Sequence, residues 1–244
     1  VKLRIGHLYP REMSLYGDTG NVLAVRRRLE WRGHSAEVVA IEVGDQFDFS
    51  TVDILIGGGG PDSGQRHMAA DLVERGEEVK AALETGVPLL AVCGMFQLLG
   101  RSFTTNEGEV LPGIGVFDAV TVATRRRIVG DVVLSTRFGR LVGFENHSGL
   151  TRLGPTQEPF GQVLSGRRRS LRHRDDGAVV GAAIGTYLHG PILPRNPVLA
   201  DFLIDRALGR RGEGSASSLP PSSTPTRQEA PSPPGSPAPV SGPA

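Results

Sequence analysis

Residues 88–100 read Pro-Leu-Leu-Ala-Val-Cys-Gly-Met-Phe-Gln-Leu-Leu-Gly, and few folds accommodate such a stretch. Pro88 opens a short, wholly apolar run, as expected of a parallel strand buried on both faces. At Cys93-Gly94 the pattern changes, and Phe96, Leu98 and Leu99 fall at helical spacing. A strand that becomes a helix within two residues must turn sharply, and Gly94 is expected to supply the backbone freedom. This layout is that of a nucleophile elbow with Cys in place of Ser. Its apical side chain stands above the sheet, beside a helix N-terminus whose unpaired N–H groups favour a thiolate. A buried core cysteine is the alternative, since free Cys is commonly buried. The sharp turn and the polar Gln97 one helical turn later favour the nucleophile.

The remaining chain alternates in a way that suits such an elbow. Leu3 to Tyr9 predicts a first strand, followed by a loop from Pro10 to Asp18. A helix capped by Asp18 or Thr19 comes next, with Val22, Val25 and Leu29 as its apolar stripe and Gly33 as its stop. Ala36–Val43 and Val52–Ile56 predict the next two strands, the latter running into Gly57-Gly58-Gly59-Gly60. One helix is expected from about Gln65 to Glu84. Together these give α/β architecture: an open, mostly parallel central sheet with helices on both faces. Past Gly100, short strand-like runs at 114–124, 128–136 and 140–145 predict antiparallel additions. Residues 178–187 return to the central sheet and end at His189. Asn196-Pro197 starts a last amphipathic helix. The globular domain is thus residues 1–208. From 209 to 244 Pro, Ser and Gly dominate, half of the chain's prolines lie beyond Leu219, and a disordered tail is expected.

Composition narrows the functional classes. A formal net charge of +1 gives no reason to expect nucleic acid as a partner. Only Lys2 and Lys80 are lysines, so the Arg runs at 26–28 and 167–169 read as compositional bias on solvated faces. The single cysteine excludes an internal disulfide and any multi-Cys zinc site, and no metal is expected. With no apolar run of membrane-spanning length and no signal peptide, a cytoplasmic, non-spanning protein is expected.

A nucleophilic Cys93 needs a base. Of six histidines, His189 has the best context, at the end of a buried strand and before Gly190-Pro191. Ligands of open α/β sheets bind beyond the carboxyl ends of the strands, where Cys93 and His189 would meet. The glycine run would bring backbone N–H groups to the same edge, forming an oxyanion hole with Gly94. No Gly-Lys-Ser/Thr follows the run, which argues against a nucleotide P-loop.

Four segments now stand out as a set. They are Ile56-Gly57-Gly58-Gly59 with Asp62 and Gln65, Cys93-Gly94-x-Phe96-Gln97-Leu98-Leu99-Gly100, Gly143-Phe144-Glu145-Asn146-His147-x-Gly149, and Tyr187-Leu188-His189-Gly190-Pro191. The set resembles the cobyric-acid-synthase-like class I glutamine amidotransferases, which are flavodoxin-like, and within them the GatD-like branch. Leu8-Tyr9-Pro10, Met13, Tyr16-Gly17-Asp18 and Gly20-Asn21 extend the resemblance, which covers residues 3–208.

The resemblance implies Cys93 as nucleophile and His189 as base and then acid. It implies Gly59 and Gly94 as oxyanion-hole donors and Gln97 as a contact to the substrate. Arg127 matches a position implicated in glutamine binding, although the residue alone reads equally as one of three surface charges in 125–127. Asn146 and His147 would line the pocket. The implied activity is hydrolysis of L-glutamine, with ammonia passed to a MurT-like Mur-ligase subunit. That partner would use ATP and Mg to amidate the D-glutamate of lipid II, and no cofactor is expected on this chain.

Two departures matter. Met95 stands where many relatives have a second glycine. The position two residues after His189, a Glu in the familiar class I enzymes, is Pro191. The acid that orients His189 is then either another local acceptor or a carboxylate of the partner subunit. Two other readings keep part of this picture: an amidotransferase for a different carboxylate such as a corrinoid, and a non-catalytic flavodoxin-like module with a redox-sensing Cys93.

Overall fold

The computed structural model describes residues 1–166 and 175–213. In chain order the elements are β1 (Lys2–Leu8), α1 (Thr19–Trp31), β2 (Ser35–Ile41), β3 (Ile54–Gly57), α2 (Asp62–Glu74), α3 (Gly76–Glu84), β4 (Leu89–Val92), α4 (Gly94–Leu98), β5 (Ser102–Thr104) and β6 (Val110–Pro112). Then follow β7 (Ala119–Thr136), β8 (Gly139–Leu153), β9 (Gly161–Ser165), β10 (Asp175–Asp176), β11 (Ala178–Val180), β12 (Ala183–Thr186), α5 (Ile192–Arg195) and α6 (Pro197–Arg210).

The central sheet has the order β11-β12-β4-β3-β1-β2, parallel except for the β11–β12 hairpin at its edge. Strands β3, β4 and β12 are buried on both faces, as their unbroken apolar runs require. The second sheet, past Gly100, is mostly antiparallel, in the order β10-β9-β7-β5-β6 with β8 paired to β7.

Several expected boundaries move. The helix expected over 65–84 breaks at Arg75 into α2 and α3. The run 178–187 folds back at Gly181, whose φ of +58° suits a hairpin turn. Residues 119–124 of the run 114–124 and the whole of 128–136 lie on one long strand, β7, interrupted by a bulge between Ala123 and Ile128, while 114–118 form no strand. Helix α6 runs through Arg210, and Arg211 then pairs with the buried Asp53, so the fold extends past the expected limit at 208. Residues 214–244 lie outside the described residues. Among the described residues, no helix is long and apolar enough to cross a membrane.

The two sheets are stitched by Asp176 of β10, which accepts from Thr186 Oγ1 of β12 at 2.6 Å, and by a backbone bridge. Phe144 of β8 forms an antiparallel bridge with His189: the His189 N–H donates to Phe144 O at 2.7 Å, and Phe144 returns the bond at 3.2 Å. The backbone of His189 is thereby fixed at the seam between them.

Candidate active site

Cys93 ends β4 with φ +52° and ψ −106°, a left-handed backbone rare for a residue with a side chain. Strain of this kind costs on the order of 1–3 kcal/mol and persists where surrounding structure over-determines it. The Cys93 N–H donates to Thr186 O on β12, and its carbonyl accepts from Gln97 N, so both sides of the turn are pinned. The expectation that Gly94 supplies the freedom is corrected here: its φ is not positive, and Cys93 itself makes the turn. Gly94 is needed for closeness instead. A Cβ there would sit 2.6 Å from Met13 Cε and 2.9 Å from Gln65 Nε2.

The glycine run likewise serves close approach, since none of residues 57–60 has a positive φ. A Cβ on Gly59 would lie 2.7 Å from His189 Cε1 and 3.0 Å from Cys93 Cβ, so this one glycine faces both reacting groups. A Cβ on Gly57 would meet Met95 Cγ at 2.5 Å. The Met95 departure is therefore accommodated: its buried side chain fills the space that Gly57 leaves open.

The acid that Pro191 replaces has a local substitute. Asp18, fully buried at the end of the β1–α1 loop, places Oδ2 3.7 Å from His189 Nδ1 and accepts the Gly59 N–H at 2.8 Å. Asp18 makes no side-chain cap bond to α1, the role its position suggested. His189 is 1% exposed, and neither ring nitrogen completes a hydrogen bond. Burial alone lowers the imidazole pKa, but interactions with Asp18 and Cys93 outweigh it and push it up to about 10. The site is built to hold an imidazolium.

Occupation of the Gly59 N–H by Asp18 corrects the assignment of Gly59 as an oxyanion donor. Gly94, the first residue of α4, keeps an N–H without an intrahelical acceptor. Gly60 lines the pocket beside Cys93.

The pocket over Cys93 has a volume of about 260 Å³, and Tyr16, Gln65, Gln97, Arg127, Asn146 and His147 are among the residues that line it. Gln97 is committed to the pocket wall: its Oε1 accepts from Gln65 Nε2 at 3.0 Å, and its Nε2 donates to Tyr187 Oη at 3.2 Å. Its amide keeps a second N–H, and the residue lines the pocket. His147 is buried, with Nδ1 3.0 Å from Gly149 O and its ring stacked on Tyr187 at 3.9 Å. Arg127 sits in the β7 bulge, a device that redirects a side chain, and reaches the pocket mouth. Its Nε donates to Asn146 Oδ1 at 2.6 Å and its Nη2 to Tyr16 Oη at 2.7 Å. Among the described residues, no group of three or more His, Cys, Asp or Glu could hold a metal ion.

A CobB/CobQ-like glutamine amidotransferase domain matches residues 4–197. The chain belongs to this family. Within it, the chain is 36% identical over 212 residues to the Staphylococcus aureus (strain N315) protein named lipid II isoglutaminyl synthase (glutamine-hydrolyzing) subunit GatD, covering 86% of both chains. The Streptococcus pneumoniae R6 protein of the same name is 36% identical, with 86% of this chain and 82% of the relative covered. A solved glutamine amidotransferase structure superposes with a TM-score of 0.56 at 19% identity, covering 83% of this chain and 98% of the other, and shares the class I fold.

Against this family background, the sequence reasoning passed over Asp18 and Tyr16 as site residues. Both lie in the Tyr16-Gly17-Asp18 segment, and the available signal was a buried-type acid following a glycine in a loop at a parallel strand's carboxyl end. Gln65 was also passed over; its place on the first turns of α2 behind Gly94 depends on the tertiary fold.

Proposed function

We propose that the chain is the glutaminase subunit of a two-subunit amidotransferase that works on lipid II. It hydrolyses L-glutamine at Cys93 and hands ammonia to a MurT-like, ATP-dependent Mur-ligase subunit in the cytoplasm. The observation that carries this reading is the strained Cys93 at the end of β4, facing His189 across Gly59, with Asp18 behind the imidazole. The names of the relatives similar over most of the chain favour lipid II as the route by which the ammonia is used.

The geometry supports a thioester route. With Nδ1 facing Asp18, the other ring nitrogen of His189 takes the Cys93 proton, and burial beside a carboxylate stabilises the resulting imidazolium. The thiolate attacks the side-chain amide carbon of glutamine. The N–H groups of Gly94 and Gly60 hold the oxygen as it gains charge. Collapse breaks the C–N bond, His189 protonates the departing nitrogen, and ammonia leaves a thioester on Cys93. His189 then deprotonates a water that attacks the thioester, and glutamate departs as the thiol re-forms. Arg127, whose guanidinium donates to Asn146, grips the α-carboxylate in this reading.

The test is ammonia release from L-glutamine by the chain alone and with a Mur-ligase partner, alongside amidation of lipid II by the pair. Loss of both on Cys93→Ala supports the reading. Release that persists without the thiol refutes the thioester route, and release without lipid II amidation refutes the acceptor.

A further inference from the structure

We propose that Tyr16 is a positioning residue for the substrate. It completes, with Arg127, a two-donor seat for the α-carboxylate, and it closes its ring over the catalytic imidazole. The proposal rests on the glutamine reading for the identity of the carboxylate, but not for the closure.

Tyr16 bridges the two halves of the site. Its ring centroid lies 4.8 Å from that of His189 at an interplanar angle of 56°, and Cδ2 would be 3.4 Å from a Cβ on Gly59. On the other side its hydroxyl meets Arg127, which hangs from the second sheet. The residue is half-buried and lines the pocket next to Cys93.

The hydrogen bond has a direction that matters. Arg127 Nη2 donates and the phenol oxygen accepts, so the phenol keeps its own proton for another acceptor. A guanidinium N–H and a phenol O–H side by side form a paired donor surface, the arrangement a carboxylate engages with both oxygens. A substrate seated there stands under the ring, whose position over His189 shields the thioester from bulk water.

The backbone around Tyr16 is set by its neighbours. Tyr9, at the start of the loop, has φ +48°, and Gly17, directly after Tyr16, has φ +80°. Met13 and Asp18 on either side are buried, and Leu15 N holds Gly59 O at 3.2 Å. Tyr16 thus stands two residues before the catalytic acid, at the end of the loop that enters α1.

The experiment uses Tyr16→Phe, Tyr16→Ala and Arg127→Ala, alone and combined, in the complex with the ligase subunit. It measures steady-state ammonia release and alkylation of Cys93 by iodoacetamide, read by mass on this chain, whose only thiol is Cys93. Tyr16→Phe should lower kcat/KM for glutamine about tenfold, through KM more than kcat, the scale of one hydrogen bond to a charged group. In the Arg127→Ala background the same change should cost far less, because the two donors act as one seat. Tyr16→Ala should in addition speed alkylation of Cys93 several-fold in the absence of glutamine. An unchanged KM in Tyr16→Phe, or losses that simply multiply, overturns the seat. Equal alkylation rates in Tyr16→Ala and the parent overturn the closure. Faster alkylation in a protein that releases no ammonia would keep the closure and overturn the glutamine reading instead.

Discussion

Replacing Asp18 by Asn tests whether the in-chain carboxylate orients the base. The exchange is nearly isosteric, and the amide oxygen can still accept the Gly59 N–H, so the loop has no reason to move. That same oxygen faces Nδ1, so the ring keeps its tautomer and the amide N–H₂ takes the place of Oδ1. What is lost is the charge. At 3.7 Å, a carboxylate and an imidazolium attract by about 4 kcal/mol at an effective dielectric of ~20. That ceiling corresponds to about a thousandfold in rate. The contact lacks hydrogen-bond distance, so a fall in kcat/KM of about 10²–10³ is expected.

The pH dependence of stability gives a second reading of the same variant. The folded imidazole is raised from its ordinary 6.5 to about 10, so it contributes stability that is complete below about pH 6.5 and is lost as pH rises toward 10. Without the Asp18 charge that window should narrow and the slope flatten. Asp18 Oδ1 is also buried without a partner, a cost that the neutral amide reduces. Above about pH 10 the variant should therefore match or exceed the parent in chemical denaturation. A folded Asp18→Asn protein with kcat/KM within twofold of the parent and the same stability–pH slope would refute the assignment and return the acid to the partner subunit.

Other changes should separate the parts of the site. Cys93→Ala should abolish ammonia release while leaving circular dichroism and partner binding intact, and relief of the left-handed backbone by Cys93→Gly should raise Tm, since strain of about 1–3 kcal/mol is released. Gly59→Ala should reduce ammonia release at least a hundredfold without unfolding the chain, because the methyl would enter the space between His189 and Cys93. A chain ended after Leu208 should melt about 3–6 °C below one ended after Glu213, because it loses the Arg211 bonds to buried Asp53. Turnover by the isolated chain should rise several-fold on complex formation, as the 3.7 Å Asp18–His189 contact leaves the imidazole loosely held; equal rates with and without the partner would contradict this.

The sequence was most legible where one backbone dictates one pattern. Strands β3, β4 and β12 are buried on both faces, so their apolar runs and chemical endings could be read directly, and with them Cys93 and His189. Legibility failed where a residue's task depends on a neighbour far along the chain. Asp18 resembles a helix cap because its sequence neighbours form a helix; its actual partners, Gly59 and His189, lie 41 and 171 positions away. Gly94 resembles a flexible hinge because it follows the nucleophile, whereas packing by Met13 and Gln65 explains its missing side chain. Arg127 is indistinguishable from Arg125 and Arg126 until the bulge in β7 selects which of the three meets Asn146 and Tyr16.

The division of the chain into two sheets assigns separate tasks to each. Asp18, Gly59 and Cys93 follow β1, β3 and β4, three adjacent strands of the central sheet, and His189 follows β12 next to β4. A parallel sheet buried on both faces holds strand ends rigidly in register, which suits groups that must align within tenths of an ångström for proton transfer. Arg127, Asn146 and His147 come from the second sheet, which has long, partly exposed strands and a bulge. Such strands tolerate changes that reshape a pocket mouth without moving the nucleophile. The backbone bridge between Phe144 and His189 is where the two demands meet, because it ties the second sheet to the base. A movement of that sheet reaches His189 through those two backbone hydrogen bonds and reaches Thr186, whose carbonyl holds the Cys93 N–H, through Asp176 of β10, so base and nucleophile both feel what binds the second sheet.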